Sequence, residues 1–263
     1  MKKIFLVACL FCHRSSAQQH KTILVIFAHP DDEVTMAPVL AKYAAAGAEV
    51  YLAIATDGRL GVNDFAHLPS GDTLAAIRVG ESRCAAEQLG IHPPVFMGLH
   101  DQLDLTLGYG ALVHAMDSIY TAVAGLMKAI HPDIIITWSP GGWTGHSDHC
   151  LVGNIVMNAY LGAHWQKVPK LFFARMPADR LFEKGWTYSD ADSAFLTVRI
   201  KLSPEDMAKA KRAWLCHKSQ FRPEDVERLQ KMIWDMDKPV SYFVRFAPTG
   251  TVEDSFFDTS KKK

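Results

Sequence analysis

Thr22 to Ala28 (TILVIFA) is the segment that most constrains the fold. It is rich in β-branched residues, too short for a helix, and lacks the apolar/polar alternation of a strand with one wet face. It therefore reads as a strand buried on both sides, the kind found in parallel sheets covered by helices. The pattern downstream agrees. Val34 to Ala46 is Ala- and Leu-rich with Gly47 as a stop, Glu49 to Thr56 (EVYLAIAT) is a second strand, and Thr73 to Leu89 is a helix closed by Gly90. Pro94 to Met97 reads as a short strand and Ala111 to Ile130 as a long amphipathic helix ended by His131-Pro132. Asp133 to Trp138 (DIIITW) is another buried strand, running into the Gly-rich loop Ser139 to Gly145. Strand candidates at Leu171 to Arg175 and Ala194 to Ile200 and a helix from Pro204 to Cys216 extend the same body. Alternation with short joints predicts one α/β domain over residues 18–263, a mostly parallel sheet with helices on both faces. No linker, repeat or low-complexity tract divides it.

The first residues need separate treatment. Lys2 and Lys3 precede the apolar run Ile4 to Cys12, and Ser15-Ser16-Ala17 offers the small residues a signal peptidase reads, so residues 1–17 are expected to be an export signal cleaved before Gln18. This predicts a periplasmic or extracellular protein. Leu6-Val7-Ala8-Cys9 also resembles a lipoprotein cleavage box, which would anchor the chain through Cys9. The third possibility is an uncleaved start in an intracellular enzyme. The run is shorter than the roughly 20 apolar residues that span a bilayer, and no later segment reaches that length, so no transmembrane segment is expected. Cleavage would leave Cys84, Cys150 and Cys216, an odd number with no zinc-module spacing. Twenty-eight basic residues balance twenty-eight acidic ones, which removes any global electrostatic reason to bind nucleic acid.

A doubly wound sheet binds ligands beyond the carboxyl ends of its strands. The first strand ends not in a glycine fingerprint but in His29-Pro30-Asp31-Asp32-Glu33, whose carboxylates would repel a dinucleotide pyrophosphate. The strand ending at Trp138 leads to His146-Ser147-Asp148-His149 at the start of another helix. Taken singly, the acids could cap a helix and the histidines could be structural. Taken together, two His/Asp clusters at strand ends suit a catalytic zinc, which takes three nitrogen or oxygen ligands and leaves a position for water, with a spare carboxylate as base. A serine-hydrolase reading fails for want of a GxSxG elbow.

These two motifs in combination resemble the zinc-dependent de-N-acetylases of the LmbE-like, or PIG-L, family. Thr56-Asp57-Gly58, Arg78-Val79-Gly80-Glu81 with Leu89-Gly90, and His217-Lys218-Ser219-Gln220 look like its secondary blocks. The resemblance implies a Rossmann-like fold and hydrolysis of an acetamide on an N-acetylglucosamine-type conjugate. It implies one Zn2+ held by His29, Asp32 and His149, with Asp31 as general base. His146, oriented by Asp148, becomes the group that stabilises the oxyanion. Arg78 and Asp101 are the expected substrate contacts, Arg78 having as its alternative a pairing with Glu81 on one helix face. Trp143 has two readings, stacking on a sugar or covering the core, and His217 and Gln220 either close the pocket or end a helix. Glu33 reads as a capping residue. Two other functions stay open: a metal-containing sugar-binding module without turnover, against which Asp31 argues, and a metalloamidase or esterase acting on a non-sugar substrate.

Overall fold

A computed structural model describes residues 21–103, 107–177, 190–191 and 193–246. The expected export signal, with Cys9 and the cleavage point before Gln18, lies outside the described residues. The elements are β1 (Thr22–Phe27), α1 (Ala37–Ala45), β2 (Glu49–Thr56), α2 (Asp72–Leu89), β3 (Val95–Leu99), α3 (Tyr109–Ile130) and β4 (Ile134–Trp138). They continue with α4 (Gly142–Gly145), α5 (Ser147–Gly162), β5 (Lys170–Pro177), β6 (Asp190–Ala191), β7 (Val198–Lys201), α6 (Pro204–Trp214), α7 (Pro223–Ile233) and β8 (Val240–Phe246).

The sheet runs β3-β2-β1-β4-β5-β8-β7, with β6 beside β5. From β3 to β5 the pairings are parallel, and β8 pairs antiparallel with both β5 and β7. The α/β expectation therefore holds, with an antiparallel edge. Strand alternation divides β1 between two cores. Ile23, Val25 and Phe27 pack with side chains of α1, α2 and α6, while Leu24, Ile26 and Ala28 pack with α3 and α5. Each face of β1 is thus covered, which is why its sequence shows no polar alternation.

Local chemistry moved some boundaries. The helix expected from Val34 begins instead as a 3-10 turn over Asp32–Thr35 and restarts at Ala37, because Pro38 fits a first helical turn, where no amide donor is needed. The last strand candidate shortens to Val198–Lys201 behind a 3-10 turn at Ser193–Phe195. Helix α7 and strand β8 had no counterpart in the sequence reading.

Beyond the odd cysteine, the chain forms a disulfide. Cys84 on α2 bonds Cys216, just past α6, across 132 residues of sequence, and Cys150 is free. A cross-link of that span restricts the unfolded chain and contributes about 2–5 kcal/mol. No helix among the described residues is long and apolar enough to cross a membrane.

Candidate active site and metal centre

Strands β1 and β4 are neighbours, while the crossovers from them lead to opposite sides, to β2 and to β5. The crevice beyond their carboxyl ends is the switch point where this architecture takes ligands. Both His/Asp clusters lie there. Helix α5 brings His149 close because Gly153 allows tight approach: a Cβ at that position would fall 2.5 Å from Trp138 O.

His29, Asp32 and His149 meet. His149 Nε2 is 3.0 Å from Asp32 Oδ1 and 3.1 Å from His29 Nδ1, and His29 Nδ1 is 3.9 Å from Asp32 Oδ2. Ligand atoms about 2.0–2.1 Å from a tetrahedral zinc stand roughly 3.3 Å apart, so the two separations from His149 Nε2 match, while the approach of His29 to Asp32 is longer and made to Oδ2. The far side of each ring supports the same reading. His149 Nδ1 lies 3.0 Å from Gly142 O, a carbonyl that can only accept, which leaves a lone pair on Nε2. His29 Nε2 lies 3.1 Å from Asp101 Oδ1 and 3.2 Å from Asp148 Oδ2, which likewise leaves a lone pair on Nδ1. With tautomers assigned this way, three acceptors converge and call for a cation between them. Asp32 Oδ2 is held by the amides of Ala28 and His29, each at 2.9 Å, and by Trp138 Nε1 at 3.1 Å. Among the described residues, ligand atoms all lie within 4.8 Å of one another in two groups, His29 with His146 and His149 and His29 with Asp101 and Asp148; Asp32 is in neither and joins through its contact with His149. In the second grouping the carboxylates already accept from His29 and from the amides of Leu60, Gln102 and Leu103.

The two adjacent carboxylates differ. Burial pushes Asp32 up, but the His149 and His29 imidazoles outweigh it and hold the carboxyl well below its ordinary value. For Asp31 burial prevails over Arg78, and the Asp32 charge adds to it, so its pKa is raised. Burial alone would lower His29, yet the carboxylates of Asp101, Asp148 and Asp32 hold it well above the ordinary imidazole value. Asp101 is buried, which would raise its pKa, but the facing His29 brings it down to about 2. His146 is lowered by burial and then by the neighbouring His29 and His149. Its Nδ1 accepts from the Asp148 amide at 3.2 Å, so its proton sits on Nε2.

Asp31 adopts φ 111°, a left-handed conformation that strains any residue with a Cβ. Two buried neighbours hold it there. Its amide donates to Glu33 Oε2 at 3.1 Å, and Glu33 Oε1 pairs with His217 Nε2 at 2.6 Å, both side chains fully buried. Arg78 Nη2 meets Asp31 Oδ2 at 3.0 Å and also the Pro30 carbonyl, while Nη1 donates to Gly58 O at 2.7 Å. Only glycine suits position 58, since a Cβ would overlap the guanidinium.

These contacts correct several expectations. Arg78 is 3% exposed and its guanidinium is engaged by Asp31 and two carbonyls, so it positions Asp31 rather than meeting a sugar, and it does not pair with Glu81, which holds Ser219 instead. Asp101 is buried with its carboxylate on His29, and it also lines a cavity beside α3. Asp148 directs its carboxylate to His29, and its backbone amide donates to His146 Nδ1. Trp143 is 8% exposed and stacks on Trp138, so the core-covering reading prevails over sugar stacking. His217 braces Glu33, and Gln220 Nε2 donates to Gly61 O at 2.9 Å. The Trp138 donor to Asp32 and the double carboxylate behind His29 were missed, because both depend on which strand ends become neighbours.

The sequence profile of the PIG-L family, described as GlcNAc-PI de-N-acetylase, matches residues 24–160, a stretch that contains both clusters. The chain belongs to this family. A 1D-myo-inositol 2-acetamido-2-deoxy-alpha-D-glucopyranoside deacetylase of Rhodococcus opacus (strain B4) is 30% identical over 197 residues, covering 66% of this chain and 63% of the relative. The chain therefore spans just under two thirds of that relative's length. Among solved structures, N,N'-diacetylchitobiose deacetylase from Pyrococcus horikoshii aligns with a TM-score of 0.64 at 19% identity, covering 87% of this chain and 84% of its own. The 4-carboxy-2-hydroxymuconate hydratase GalB of Pseudomonas putida KT2440 aligns with 0.63 at 16% identity, over 89% of this chain and 100% of its own. At these identities the likeness is one of fold. A deacetylase and a hydratase on the same fold leave the reaction to be argued from the site.

Proposed function

We propose that the protein is a zinc-dependent hydrolase that removes the N-acetyl group from an N-acetylglucosamine-type sugar conjugate. The observation that carries this reading is the convergence of lone pairs on His29, Asp32 and His149 beside Asp31, a second carboxylate held apart from them by Arg78. In this reading His29 Nδ1, Asp32 Oδ1 and His149 Nε2 hold the ion. Zinc, when bound, supplies Lewis acidity toward an amide carbonyl and acidifies water toward neutral pH. Two adjacent carboxylates whose environments drive their pKa values apart suit different roles, the depressed Asp32 as ligand and the raised Asp31 as base. Asp31 takes a proton from the attacking water and returns it to the amine nitrogen as the C–N bond breaks, so that amide and water become acetate and amine. His146, protonated on Nε2, donates to the carbonyl oxygen as it gains negative charge. Asp101 and Asp148 fix the His29 ring.

The family description and the name of the Rhodococcus opacus relative support a sugar-borne acetamide. Zinc-loaded protein incubated with a panel of N-acetylglucosamine glycosides is expected to release acetate and free amine in equal amounts. Release of neither from any member would sink the reading.

Export is part of the same proposal. The disulfide between Cys84 and Cys216 supports it, since such bonds persist outside the reducing cytosol. The N-terminal mass of the mature chain is the check: a start at Gln18 or at lipid-modified Cys9 fits, and an intact Met1 in soluble cytoplasm does not.

A further inference from the structure

Two cavities bracket the His/Asp cluster, and they differ in character. One, of about 220 Å3, has Asp31, Asp32 and His149 at one end, and the rest of its wall is mainly apolar, including Trp214, Phe221, Leu229 and Met232. The other, of about 380 Å3, lies on the Asp101 side of His29 and carries Arg59, His100 and Gln102 among apolar side chains of α3. The first adjoins Asp31, Asp32 and His149 directly, and the second reaches the cluster through Asp101, so in the hydrolase reading an amide at the cluster would turn one substituent toward each. A hydroxylated sugar can use the polar groups of the second, whereas the first offers it almost nothing to hydrogen-bond.

An apolar cavity of about 150 Å3 takes up a benzene-sized molecule, so about 220 Å3 far exceeds the single methyl of an acetyl group. Leu229 and Met232 are half-buried residues of α7. They lie C-terminal to residues 24–160, as do Trp214 and Phe221, so this part of the wall falls outside the stretch that matches the family, while Val34, Trp138 and Trp143 of the same wall fall within it. We propose that the cavity against Asp31 and His149 receives the acyl chain of the amide, and that the preferred substrates are N-acyl sugars with a chain of about six to eight carbons. This rests on the hydrolase reading above and names its substrate class. The reaction is unchanged in its balance: water adds, the C–N bond breaks, and a fatty acid leaves in place of acetate.

The test uses zinc-loaded protein and a series of N-acyl glucosamine glycosides from acetyl to decanoyl. Each methylene removed from water is worth about fourfold in affinity, so kcat/KM is expected to rise at least tenfold from acetyl to hexanoyl or octanoyl and to fall beyond the length the cavity holds. Octanoate should also inhibit at concentrations at least tenfold below acetate, a measurement that needs no variant. Leu229→Trp and Met232→Trp, which fill the cavity, should lower the octanoyl-to-acetyl ratio of kcat/KM at least tenfold, and Leu229→Ala should leave it the same or raise it. Circular dichroism identifies any variant that fails to fold. A kcat/KM that declines steadily from acetyl, with equal inhibition by the two acids, overturns the acyl-chain proposal while leaving deacetylation intact. Absence of amine release from every member overturns the hydrolase reading as well.

Discussion

Asp31→Asn is expected to keep its zinc and to lose about 10²- to 10⁴-fold in kcat, the usual scale for general acid–base catalysis. The expectation follows from how the two neighbouring carboxylates are used. Asp32 Oδ2 is held by two amides and the Trp138 indole, which leaves Oδ1, 3.0 Å from His149 Nε2, as the oxygen facing the proposed ion. Asp31 touches none of these groups; its contact is with Arg78. Asparagine is nearly isosteric and can keep an acceptor toward the guanidinium, so the turn should survive the change. What it cannot do is take a proton. Asp32→Asn should show the reverse pattern, weakened metal binding with the turnover loss following from it. Metal content by elemental analysis beside kcat separates the two, and unchanged turnover in the Asp31 variant would remove it as the base.

Much of the fold was legible because β1, β2 and β4 lie in the middle of a covered parallel sheet, where burial on both faces imposes continuous apolar runs. The partners of that sheet were less visible. Helix α7 and strand β8 lie after Cys216, and β8 is antiparallel to both its neighbours, a relation that no local pattern announces. The His/Asp clusters proposed to hold the metal could be picked out because chemistry clusters at strand ends, and two such clusters coincided. The role of Arg78 could not, because it depends on a pocket assembled from Gly58 O, Pro30 O and Asp31 on two other connections. The contacts of Asp101 and Asp148 with His29 were not foreseen for the same reason: they join elements up to 119 residues apart in sequence only through the sheet. The Cys84–Cys216 bond joins α2 to the end of α6 across 132 residues, and cysteine counting alone could not pair them.

His149→Ala is expected to abolish stoichiometric zinc binding and to lower activity by on the order of 10³-fold or more, since water would lose the acidification toward neutral pH that a bound ion provides. The arrangement makes His149 the least replaceable of the three proposed ligands. Its Nε2 is within 3.1 Å of both other ligand atoms, its Nδ1 is tied to Gly142 O, and its ring stacks on Trp138 with centroids 4.7 Å apart. Removing the ring deletes a lone pair that nothing else among these contacts supplies. Asp101→Asn offers a graded comparison: it leaves all three proposed ligands in place and weakens the support behind His29, along with the bonds Asp101 accepts from the Leu60 and Gln102 amides, which should cost about 10- to 100-fold in metal affinity. Stability gives a readout independent of turnover. Zinc at about 100 times its dissociation constant should stabilise the wild-type chain by about 2.7 kcal/mol, and that gain should vanish in His149→Ala and need correspondingly more zinc in Asp101→Asn. A His29→Ala, His149→Ala double variant that still carries one tightly bound zinc per chain, or that melts higher on zinc addition as the wild type does, would place the ion somewhere else.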